Sequence, residues 1–98
     1  MPTKITVPTI HLNGTDAATL ADQNSHANRA VNAAIKALVD AMPNARDYYT
    51  QGDEAHLAAT NEWADRLTRL RSVKDELTLL TEAIVEQKEA RECRKAGK

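Results

Sequence analysis

Apolar residues recur at steps of three and four over two stretches of the chain. The first runs Leu20, Ala27, Val31, Ala34/Ile35, Leu38 and Met42, with Asn24 in the same row. The second runs Leu57, Thr60, Trp63, Leu67, Leu70, Val73, Leu77, Leu80 and Ile84. That period is helical. It predicts a first helix over residues 15–42, opening at Thr15 or Asp16, whose side chains accept from the free N–H groups of a first turn. Pro43 ends it, because the residue before a proline is pushed out of the α region. A second helix is predicted over 53–94. Thr50 followed by Asp53 resembles a capping box, although Gly52 weakens such a first turn. Glu62–Arg66 and Asp65–Arg69 stand four apart, acid first, as exposed helical ion pairs do.

Residues 1–14 follow a different pattern. TKITVPTIHL is rich in β-branched residues and favours extended backbone, while Pro8 confines it to an edge strand or a free arm. Asn13-Gly14 signals a turn. The expected fold is all-α. An antiparallel helical hairpin, residues 15–98, carries a short extended N-terminal arm and a longer second helix. At 1.5 Å per residue the helices span roughly 40 and 60 Å. The first therefore covers the second only to about residue 79. Leu80, Ile84 and Val85 need other cover, either from the arm (Ile5, Val7, Ile10, Leu12) or from a second chain. Two helices bury little surface, so a homo-oligomer is expected. Asn24, Asn28 and Asn32 recur every four residues. Asn24, in the apolar row, suits a register-fixing role; a solvated stripe is the alternative.

Composition narrows the function classes. The 98 residues suffice for one domain. The hydrophobic share is 42%, much of it alanine, with no Phe; this suits thin helix-on-helix packing better than a large core. A net charge of -1 argues against a dedicated nucleic-acid binder. Cys93 is the only cysteine, so no intramolecular disulfide is possible. The apolar runs are too short for a membrane span or a secretory leader, and a soluble cytoplasmic protein is expected. His11, His26 and His56 lack metal-ligand spacing. No acid–base pair or nucleophilic set can be assembled from spacing, so neither catalysis nor a cofactor is expected.

Two segments are candidate ligand-binding sites. The connector PNARDYYTQG, residues 43–52, holds two of the three aromatics, Tyr48 and Tyr49, with Arg46, Asp47 and Gln51 beside them. Stiff rings and a planar guanidinium lose little entropy on contact, and Arg beside Tyr suits base stacking with phosphate pairing. Adjacent tyrosines cannot both face inward, so one is expected to staple the loop near Leu57 and the other to stand free. The alternative is a structured turn with an Arg46–Asp47 ion pair. The second segment is the turn His11, Leu12, Asn13, Gly14 and Thr15, whose backbone N–H groups at a helix start suit an anion; ordinary capping is the alternative. In a hairpin the two segments lie roughly 40 Å apart. Only a second chain would let them share a pocket.

Taken together, His11-Leu12-Asn13-Gly14-Thr15 and Pro43-Asn44, Arg46-Asp47-Tyr48-Tyr49, Gln51-Gly52 resemble a family of small phage and prophage proteins with an HLNGT…PNxRDYYxQG pattern. The resemblance covers about residues 8 to 87. Members often carry Gly where this chain has Ala45, and Pro where it has Thr50. Most have no assigned function. A phage origin implies a non-enzymatic binding protein, such as a counter-defence factor that sequesters a nucleotide-derived immune signal between subunits. The alternatives are an inhibitor that binds a host protein through the connector tyrosines, or a coiled-coil structural or assembly protein of the phage.

Overall fold

The structure is a computed structural model that describes residues 5–96, with side chains described through Cys93. Three helices follow one another: α1 (Ala17–Asp40), α2 (Ala45–Tyr48) and α3 (Asp53–Ala96). No strand occurs among the described residues, and no helix is long and apolar enough to cross a membrane.

Helix α1 opens at Asp16, whose carboxylate accepts from the Thr19 N–H (3.0 Å) and from the Thr19 hydroxyl (2.7 Å). It closes two residues earlier than the spacing predicts. The Ala41 N–H bonds to the Ala37 and Leu38 carbonyls and the Met42 N–H to Val39, a tightened last turn that leads into Pro43. The indole N–H of Trp63 then donates to the Leu38 carbonyl at 2.7 Å. The one tryptophan thus ties α3 to the carbonyl end of α1.

The long helices pack side by side. Leu38 faces Trp63 and Asn28 faces Thr78, so positions fall along α1 as they rise along α3. Leu67 and Ile84 are buried on the shared face, as their row predicts. Other members of the rows are not. Ala34, Met42, Leu57 and Val73 are exposed, because the face of each helix drifts around its axis and a single partner covers a narrow strip. Arg66 does not pair with Glu62. It lies over the Trp63 ring at 5.2 Å, whereas Asp65–Arg69 forms at 3.0 Å.

A second polar contact across the helices belongs to Asn28. Its amide donates to the Thr78 hydroxyl at 2.9 Å, and that hydroxyl donates to the Lys74 carbonyl. Asn24 instead donates to Leu20, one turn back on its own helix. The Asn28 carbonyl oxygen is buried without a partner, which makes this contact a device for register more than for stability.

Helix α1 covers α3 further than the helix lengths predict, past residue 79: Leu38 meets Trp63, ten residues into α3, and Asp16, Ala17 and Ala18 border the same cleft as Lys88, Arg91 and Glu92. The arm lies against α3 at this same level. The Ile10 N–H donates to Gln87 Oε1 (3.0 Å), Gln87 Nε2 donates to the Pro8 carbonyl (2.7 Å), and Arg91 donates to the Ile10 carbonyl (3.0 Å). One glutamine side chain thus satisfies the arm's backbone on both sides of Thr9, as a neighbouring strand would. Ile84 nearby is 0% exposed. Ile5, Pro8 and Ile10 are half-buried; Val7 and Leu12, expected to help, are exposed.

Candidate functional site

Each motif segment borders its own cleft of about 330 Å³, one at each end of the helix pair.

The connector cleft is built by local geometry. Asn44 caps a single helical turn, its side chain accepting from the Arg46 N–H at 3.1 Å. A stretch expected to be irregular is therefore helical over Ala45–Tyr48. The Gln51 and Gly52 N–H groups both bond back to the Tyr48 carbonyl. Gly52 sits at φ +102, in the left-handed region where L side chains are strained, and this ends the turn. Its carbonyl then accepts from the Ala55 N–H, so Gly52 occupies the entry to α3 and the Thr50–Asp53 capping box does not form.

This turn separates the tyrosines. Tyr48 is half-buried and tilts against His56, ring centroids 6.0 Å apart, so His56 and not Leu57 receives the staple. Tyr49 is 82% exposed. Arg46, Tyr48, Tyr49, Gly52, Asp53 and His56 line the cleft; Asp47 and Gln51 do not. Among the described residues Arg46 and Asp47 form no ion pair, since adjacent side chains on a helical turn diverge. The guanidinium is left free for a ligand. His56, in the first turn of α3, is a member that spacing alone missed, as are Gly52 and Asp53.

The turn cleft is assembled from opposite ends of the chain. Ile10, His11, Leu12, Gly14 and Asp16 meet Lys88, Arg91 and Glu92. The turn itself is centred on Leu12-Asn13, one residue earlier than expected, with the Gly14 N–H bonded to the His11 carbonyl. The His11 imidazole lies close, so that a Cβ at Gly14 would stand 2.8 Å from Nε2, a contact that rotation of this exposed ring would relieve. Leu12 is 93% exposed at the rim. Asn13 and Thr15 are exposed and do not line the cleft.

Most of the donors expected to receive an anion are engaged. The Gly14 N–H bonds within the turn, and the Asp16 carboxylate occupies the start of α1. Arg91 holds the arm, and Lys88 lies 3.8 Å from Glu92. Lys88 and Arg91 were not identifiable as site residues from spacing, because more than seventy positions separate them from the turn.

The Thr19 hydroxyl, then the Thr19 backbone N–H and the Lys88 charge, hold the Asp16 carboxyl below its ordinary value of 3.8. A lowered folded value favours the native state above the unfolded pKa, and that contribution disappears as pH falls through the folded value. Asp16→Asn keeps the cap without the titration. Followed by circular dichroism, the native chain should therefore lose stability faster than the variant below about pH 4, and match it in pH dependence above.

Among the described residues no group of three His, Cys, Asp or Glu side chains is placed to hold a metal ion, and Cys93 is exposed. Compared with family models, curated proteins and solved structures, the chain finds no match.

Proposed function

We propose that this is a phage-encoded, non-enzymatic binding protein that works as a homo-oligomer and sequesters a small nucleotide-derived ligand, such as an immune signal of the host cytoplasm. The observation that carries the reading is the connector cleft. A free guanidinium and three rings, those of Tyr48, Tyr49 and His56, surround one small opening. A base stacks on a tyrosine while Arg46 pairs with phosphate. The helical hairpin acts as a rigid spacer that carries the two motif clefts at its ends. A ligand touches both only where two chains meet.

Calorimetry against cyclic and ADP-ribose-like nucleotides tests this. Binding is expected for at least one class, weakened about tenfold or more by Tyr49→Ala and further by Arg46→Ala. No heat with any member of the panel overturns it.

A second reading has its own observation. Val39, Met42, Tyr49 and Leu57 are all exposed, and all belong to the connector end of the pair. A host protein bound there would use Tyr49 as its central contact. Capture of a defined host partner by the native chain but not by Tyr49→Ala, with no nucleotide bound, favours this inhibitor.

A further inference from the structure

The single chain is too open for its mass. It exposes 7592 Å² and measures 72 × 25 × 22 Å, whereas a compact monomer of this mass exposes about 5,500 Å². The spare surface exceeds the roughly 800 Å² that each partner of a standard interface buries.

One strip of α3 is suited to meet itself. Leu57, Asn61, Ala64 and Thr68 follow at steps of four, three and four, all exposed, with Leu57 at 60%. Those steps keep one face along a coiled-coil seam. The strip carries no charge. The Thr68 hydroxyl already donates to the Ala64 carbonyl, so covering this hydroxyl orphans no donor. The spacing is also symmetric on reversal. In an antiparallel pair of α3 helices, Leu57 lies opposite the partner's Thr68 and Asn61 opposite the partner's Ala64.

Charge fits the same register. Asp53 precedes the strip by one turn and Arg71 follows it by one turn, on the same flank. Neither is in an ion pair among the described residues. Antiparallel pairing about a two-fold axis keeps each flank against itself, so Asp53 comes beside the partner's Arg71, twice per dimer.

We propose that two copies of this chain associate through the Leu57–Thr68 strip of α3, antiparallel, with Asp53 paired to the partner's Arg71. The occupant of this face is a second copy because the strip complements itself in spacing and charge. The register also carries the partner's α3 past the connector end of this chain. This deepens the oligomeric part of the proposed function and needs no ligand.

Sedimentation of the full chain at micromolar concentration tests it. The native protein is expected to be dimeric. Leu57→Lys should make it monomeric with its helix content kept. Arg71→Glu should weaken the dimer about tenfold, since two attractions become two repulsions. The double variant Asp53→Lys/Arg71→Glu should restore it. A native monomer overturns both the dimer and the oligomeric reading. A native oligomer indifferent to Leu57→Lys, or an Arg71→Glu defect that Asp53→Lys fails to rescue, overturns this seam alone.

Discussion

Trp63→Ala is expected to lower the unfolding free energy by about 3 kcal/mol, near the lower limit for a large aromatic truncation because the ring is only half-buried. Three contacts disappear together. The ring no longer fills the face between α1 and α3. The Leu38 carbonyl loses the indole N–H at the end of α1. Arg66 loses the ring it lies over. Trp63→Phe separates these effects, since it keeps most of the packing and removes the donor. It should cost about 1 kcal/mol. Urea titration followed by circular dichroism measures both, as the native fluorophore is gone. Equal costs for the two variants would assign the whole effect to the hydrogen bond and refute the packing role.

Ile84→Ala is expected to cost about 3 kcal/mol as well, in a different region. Ile84 is fully buried, three residues before Gln87, which holds the arm. The loss combines removed apolar area with the cavity left behind. Gln87→Ala is the companion variant. It should leave the helix pair folded and speed hydrogen exchange at the Ile10 amide, whose acceptor it deletes. Unchanged stability in Ile84→Ala would refute its place in a packed core.

The two experiments probe the two ends of one elongated molecule. Residues this far apart share no partners, so their costs should add in the double variant. That additivity contrasts with the proposed α3 seam, where the Asp53 and Arg71 substitutions should compensate each other.

The helices themselves were legible along the chain. Steps of three and four place Leu67 and Ile84 inward, and the structure buries them. The start of α1 was narrowed to Thr15 or Asp16, of which the structure uses Asp16, and its end near Pro43 followed from backbone sterics. Such features depend on neighbours within a turn or two, which is why local pattern suffices. The alternation of the connector tyrosines was legible for the same reason. Adjacent side chains diverge whatever the tertiary context, and Tyr49 is the one left in solvent.

Other assignments depended on residues distant in sequence. The register-fixing amide is Asn28 and not Asn24, because only Asn28 meets the Thr78 hydroxyl. Arg66 chose the Trp63 ring over Glu62, since a stacked guanidinium there lies on a surface that the helix pair already holds rigid.

The sequence by itself determined two helices of unequal length and the end of the first near Pro43. Tertiary structure decided how they align, so that α1 reaches the level of Lys88 and shares the cover of this end of α3 with the arm. The arm is held by Gln87 and Arg91, which recognise backbone N–H and carbonyl groups and so leave no periodic signal in the arm. It also decided that the turn cleft draws Lys88 and Arg91 from the far end of the chain. Local spacing encodes which face a residue takes on its own helix. Which residue of another element meets that face depends on how the chain closes, and that is a property of the fold.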